Sequence, residues 1–163
     1  MPGSVPRTYR FADFGLIIDE VHALFDAWVE DDVFAGVIDE AGLLVMKLAV
    51  HEWIANLVQH AVFRHGAPVV LVTVATEDAG VRCRIEDNSD GFDFRSQVAQ
   101  QEGAVFGPEP TERGRGLLMM IACTEDLAYT TTEAGTQRLE FVVRAPMTPD
   151  SMAPLFPADH HPS

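Results

Sequence analysis

Glu52, Asn56 and His60 stand four positions apart inside the apolar stretch LAVHEWIANLVQHAV, residues 48–62, and this spacing constrains the fold more than any other feature of the chain. On an α-helix it stacks the three polar side chains along one face. The rest of the stretch is apolar enough to be core. A carboxylate, an amide and an imidazole on such a helix are costly unless partners or ligands satisfy them. Two glycine-containing segments follow at domain-scale distance: IEDNSDGFD (85–93) and TERGRGLLMMI (111–121). Together the three segments suggest a ligand site.

Hydrophobic periodicity supplies the elements around them. Residues 1–10 form an arm or a first edge strand. Residues 13–31 carry Leu16, Ile17, Val21, Leu24, Phe25, Trp28 and Val29 at helical spacing, with acids between them. Those acids make either a solvated helix face or a docking surface for a basic partner. A second helix is predicted from Asp39 to Arg64, ending near His65-Gly66 with Pro68 beyond. The period then changes to that of strands. VVLVTVATE (69–77) and VRCRIED (81–87) predict an antiparallel hairpin turned at Asp78-Ala79-Gly80. Residues 88–113 are predicted to be a long functional loop. GLLMMIACT (116–124) is a short apolar helix, and LAYTTTE with TQRLEFVVRA make a second hairpin around Ala134-Gly135. Strand hairpins with helices to one side give an α+β fold, a two-layer α/β sandwich with a mainly antiparallel sheet. A single domain is expected over residues 1–145, with a flexible tail at 146–163.

A chain of 163 residues can bury a full-sized core. Its formal net charge of −14, with one lysine beside ten arginines, argues against nucleic acid, whose phosphates need a basic surface. Cys83, in a strand, and Cys123, in a helix, are expected to be buried thiols of a cytosolic protein. There is no basic-plus-apolar leader and no apolar run near the roughly 18 residues a membrane span needs, so the expected location is cytoplasmic, away from membranes.

Several site types fail on spacing. His51-Glu52 opens like a zinc-protease HExxH, but position 55 is Ala55. No G-x-S-x-G elbow or Walker P-loop is present. Asp87-Asn88-Ser89-Asp90-Gly91 opens like a calcium loop, yet the acid needed at its twelfth position is Val98. Taken singly, the remaining segments also have plain structural readings. Asp-x-x-x-Gly can be a turn, Gly-Arg-Gly a helix cap, and a helical Asn can bond a neighbouring backbone group.

In order and spacing, the three segments resemble the N box, G1 box and G2 box of the GHKL (histidine kinase-like ATPase) superfamily, over roughly residues 40–142. The resemblance implies ATP and Mg²⁺. Asn56 would ligate the metal, which favours oxygen ligands. Glu52 would be the catalytic base toward an attacking hydroxyl, and His60 would close the N box. Asp87 would accept the exocyclic amine of adenine, with Gly91 letting backbone approach the base. Gly114, Arg115 and Gly116 open a helix whose N–H groups suit phosphate, Arg113 or Arg115 adding charge. Thr136 would help on the adenine side. Ser89 departs from the usual D-x-G-x-G; were that position at positive φ, a serine would cost on the order of 1 kcal/mol.

Within the superfamily the chain is most similar to the anti-sigma-factor serine/threonine kinases of partner-switching systems. No phosphoacceptor helix pair is evident for a sensor kinase, nor the extra domains of gyrase-like members. That resemblance implies sequestration of a sigma factor or other target, and phosphorylation of an anti-anti-sigma (STAS-domain) antagonist. Family members also form homodimers. The alternatives are a non-catalytic partner-switch module and an accessory ATPase domain of a histidine phosphorelay.

Overall fold

A computed structural model describes residues 6–78, 80–91, 93, 96, 99 and 116–144. Its elements are β1 (Arg7–Phe11), α1 (Ile17–Glu30), α2 (Glu40–His60), β2 (Val70–Glu77), β3 (Gly80–Asp87), α3 (Gly116–Cys123), β4 (Glu125–Thr131) and β5 (Gln137–Arg144). The strands form one sheet in the order β1-β2-β3-β5-β4, antiparallel throughout. This is the α+β two-layer arrangement that the alternating patterns predict. Most of the predicted loop and all of the predicted tail lie outside the described residues.

Side chains alternate across a strand, so one face of the sheet can be dry and the other wet. Val70, Val72 and Val74 of β2, Val81, Cys83 and Ile85 of β3, and Leu139, Phe141 and Val143 of β5 make the dry face. The opposite face is laced with ion pairs. Arg82 reaches Glu77 at 2.9 Å and Glu140 at 2.6 Å, Arg84 reaches Glu140 at 2.7 Å, and Arg138 reaches Glu86 at 2.6 Å. Burial pushes the Glu140 carboxyl up, but bonds from Arg84 and Arg82 outweigh it and hold it below its ordinary range.

The helices cover the dry face. In α2, Val45, Met46, Ala49, Val50, Trp53, Ile54 and Leu57 recur at three- and four-residue spacing and are buried. Trp53 packs edge-on against Tyr129 of β4, ring centroids 5.2 Å apart. The most apolar eighteen residues of α2 have a mean hydropathy of 1.3, enough by length and composition to cross a membrane. This differs from the expectation of no such run, because Lys47, His51, Glu52 and Asn56 interrupt the apolar residues without lowering the average enough. Half of that window is buried inside the fold, as expected of a core helix.

Asp39 caps the start of α2, its Oδ1 accepting from the Gly42 N–H at 2.8 Å. The helix stops at His60, one turn before the predicted end at Arg64. Ala61 is extended (φ −71°, ψ 143°), and the chain that follows is claimed by the loop after β3. α1 is also shorter than its pattern, starting at Ile17. It buries Val21, Phe25 and Trp28, and the Trp28 indole N–H donates to Tyr9 Oη at 3.2 Å. His22 Nε2 and His51 Nδ1, 2.9 Å apart, tie α1 to α2.

Cys83 is buried and Cys123 half-buried, both free thiols, and burial raises the pKa of each. Trp53 has no solvent exposure and joins α2 to β4. Trp53→Ala should therefore lower unfolding free energy by about 3–5 kcal/mol in urea titrations. A loss under about 1 kcal/mol would show that the two layers do not meet through this ring.

Candidate functional site

The last row at one end of the sheet runs across all five strands as Phe11, Val70, Asp87, Gln137 and Thr131. Apolar at β1 and β2, it turns polar at β3, so the core ends here in groups that form hydrogen bonds. Asp87 is 2% exposed and Gln137 7%. Asp87 Oδ1 accepts the Ser89 N–H at 2.8 Å, whereas Oδ2 is buried without a hydrogen-bond partner among the described residues. Desolvation raises the Asp87 pKa, and the bonds from Ser89 only partly offset it. A buried carboxylate oxygen without a donor is costly, and a ligand N–H would satisfy it.

The loop leaving β3 is built by its own side chains. Ser89 Oγ accepts the Gly91 N–H at 3.3 Å. Ser89 lies outside the positive-φ region, so the strain expected from a serine in place of glycine does not arise. Gly91 does need its glycine, because its φ of +103° is a conformation that residues with a Cβ rarely adopt. Asn88 and Asp90 fasten this loop to the chain after α2. Asn88 Oδ1 accepts from the Val69 N–H at 2.8 Å, and its Nδ2 donates to Ala67 O at 2.9 Å. The Asp90 N–H donates to Val62 O at 2.8 Å, and Arg64 pairs with Asp90 at 3.0 Å. A cleft of about 630 Å³ opens here, lined by Arg64, Ser89, Asp90, Thr136 and Gln137 among others.

On α2, Glu52 and Asn56 are half-buried and His60 is exposed at the helix end, so the three do not share one buried face. Asn56 Nδ2 donates to Glu52 O one turn back at 2.8 Å. The amide is thereby oriented, leaving Oδ1 as the atom that can ligate a hard cation. No hydrogen bond or ion pair engages the Glu52 carboxylate among the described residues. Gly116 is the first residue of α3, which packs against α2. Arg113, Gly114 and Arg115 lie outside the described residues, so only Gly116 of the predicted phosphate segment is placed.

Thr136 lines the cleft, but its hydroxyl bonds that of Thr132 across the hairpin at 2.7 Å. The inward position belongs to its neighbour Gln137, which the motif-based reading missed. Strand alternation carried the signal, since Gln137, Leu139 and Phe141 form one period-two set. Two features here fit an adenine nucleotide with Mg²⁺: an orphaned acceptor at the base end and an oriented amide oxygen on the helix.

Because burial raises the Asp87 pKa, the native state holds that proton to higher pH than the unfolded chain does. Stability from this group is therefore greatest in acid and falls as pH rises from the ordinary carboxylate range through the folded-state value. Asp87→Asn should accordingly melt higher than the parent at pH 7, with the advantage vanishing in acid. An equal or lower melting temperature at pH 7 would contradict the burial cost assigned to this carboxylate.

The family model described as "Histidine kinase-like ATPase domain" matches residues 19–139. None of the curated proteins matches the chain. Among solved structures, it is similar to the histidine kinase domain of the blue-light activated histidine kinase EL346 from Erythrobacter litoralis. The identity is 16% and the TM-score 0.45, over 91% of this chain. The match spans 64% of that protein's length. With the family model covering well over half of the sequence, this chain belongs to the histidine kinase-like ATPase domain family of the GHKL superfamily.

Proposed function

We propose that this protein is an ATP-dependent serine/threonine protein kinase of the anti-sigma type, which holds a regulatory target and phosphorylates a STAS-domain antagonist. The observation that carries the nucleotide part is the buried Asp87 Oδ2, without a hydrogen-bond partner among the described residues, next to Ser89 and Gln137, which line a cleft. An exocyclic amine is a donor of the kind this atom lacks. Family membership independently supports ATP, with Mg²⁺ as its usual companion.

Each residue then has a defined task. Asp87 accepts the amine of the base, and Gly91 keeps a side chain off the base plane. Asn56 Oδ1 would help hold Mg²⁺, and the start of α3 at Gly116, with Gly114 and Arg115, would face the phosphates. Bound ATP and Mg²⁺ supply the γ-phosphoryl group and the neutralising charge. Glu52, one turn before Asn56 and with no competing bond among the described residues, takes the proton of the Ser or Thr hydroxyl as its oxygen bonds phosphorus and the bond to the β-phosphate oxygen breaks. The Ser89 backbone is unstrained and its N–H serves Asp87, so this departure from the usual glycine box does not weigh toward a non-catalytic module.

A second surface suits the target-holding half. Between α1 and the start of α2 lies a groove of about 460 Å³, floored by Phe25, Trp28 and Phe34 and rimmed by Asp26, Asp32 and Glu40. Lys47 lines the groove and pairs with Asp26 at 3.8 Å, leaving Asp32 and Glu40 as the rim acids that suit a segment presenting bulky apolar anchors beside arginine or lysine.

Calorimetric titration with ATP, with and without Mg²⁺, tests binding. Saturable, Mg²⁺-dependent binding is expected, and none up to millimolar ATP would overturn the proposal. Radiolabelled ATP and a STAS-domain protein then test transfer. Glu52→Gln should reduce phosphorylation at least about 100-fold while leaving ATP affinity nearly unchanged; full transfer by this variant removes Glu52 as the base.

A further inference from the structure

We infer that Gln137 is a specificity-determining residue, donating from its Nε2 to ring nitrogen N1 of the adenine whose amine Asp87 accepts. The inference rests on the nucleotide reading above and adds to it the half of the base edge that Asp87 cannot recognise.

Gln137 stands directly opposite Asp87 in the β3–β5 register, so both side chains leave the same face of the sheet. On its other flank Gln137 pairs with Thr131 of β4, whose hydroxyl donates to Gln137 Oε1 at 3.0 Å. That bond fixes the amide. With Oε1 turned to β4, Nε2 faces away from β4, and no side chain among the described residues accepts from it. Gly91 packs beside the same amide, where a Cβ would lie 3.5 Å from the amide carbon. Gln137 also lines the cleft directly.

The chemistry of the pair is complementary to one purine. Adenine presents an amine N–H beside the lone pair of N1, and a carboxylate oxygen beside an amide N–H matches both. Guanine presents a carbonyl beside an N1–H, reversing both. The bond from Thr131 uses only the Oε1 of this amide, and the next inward positions of β5, Leu139 and Phe141, are apolar and fully buried. An apolar side chain would extend that set without a polar group needing a partner.

Base analogues separate this role from a structural one. ATP, 1-deaza-ATP (no N1) and 7-deaza-ATP (N1 retained) would be titrated into the parent protein and into Gln137→Leu. The parent should bind 7-deaza-ATP about as well as ATP and 1-deaza-ATP roughly tenfold more weakly. Gln137→Leu should lose a similar factor for ATP and none for 1-deaza-ATP. Equal affinity of the parent for ATP and 1-deaza-ATP overturns the inference without any variant, so it stays testable if Gln137→Leu fails to fold. So does a loss in Gln137→Leu that is the same for all three nucleotides. A parent protein that binds none of them overturns the nucleotide reading itself, an outcome distinct from ATP binding that ignores N1.

Discussion

The register between β3 and β5 is the constraint on which the rest of this molecule depends. Eight consecutive pairs, from Gly80 opposite Arg144 to Asp87 opposite Gln137, place every inward residue of one strand beside an inward residue of the other. A slip of one position would turn Ile85 and Cys83 to solvent and carry Arg82, Arg84 and Glu86 into the core. Both faces resist that slip. Inward, Val81, Cys83, Ile85, Leu139 and Phe141 are fully buried. Outward, Arg82 and Arg84 share Glu140 across the strands while Arg138 holds Glu86. At the Gly80 end the strands approach so closely that a Cβ would meet Val143 O at 2.9 Å. The far end of this locked pair is where Asp87 and Gln137 sit, so the same forces that fix the core fix the site.

Much of the fold was legible because strands and helices have different periods. The hairpins over 70–87 and 125–144, and the helices starting near Ile17, Glu40 and Gly116, follow from period-two and near-period-four patterns. The end of α2 was not legible. Residues 61–64 carry helix-compatible side chains, but the Asp90 N–H claims Val62 O and Asn88 claims the backbone of Ala67 and Val69. Those bonds reach across nearly thirty positions at the longest, beyond any local pattern. Tertiary hydrogen bonding overrode propensity there.

The site divides along the same line. Asp87 and Gly91 were visible as a motif, and the structure gives each a physical reason: a donor-starved oxygen and a positive φ. Ser89 looked like a defect because a sequence shows identity but not φ; in place, its backbone N–H and hydroxyl build the turn. Gln137 was hidden by the Gly-Thr pair before it, which drew attention one position early. His51 looked like a protease fragment and turned out to pair with His22, joining α1 to the turn of α2 that bears Glu52.

Asp87 also shows how such a site is kept open. An acid with one oxygen satisfied and the other buried without a donor among the described residues destabilises the fold, and asparagine would relieve the charge while retaining an oxygen for the Ser89 N–H. The unfavourable choice is sensible only if a bound group supplies the missing donor, because binding then recovers free energy that the empty fold has already given up. The neighbouring ion pairs follow the opposite rule. Arg82, Glu77 and Glu140 sit at the wet face with their charges matched, where each bond contributes little and risks little. One sheet thus places its unmatched charge on the dry side at the end of its best-fixed strand pair, where the Ser89 N–H satisfies one carboxylate oxygen and leaves the other for a bound donor.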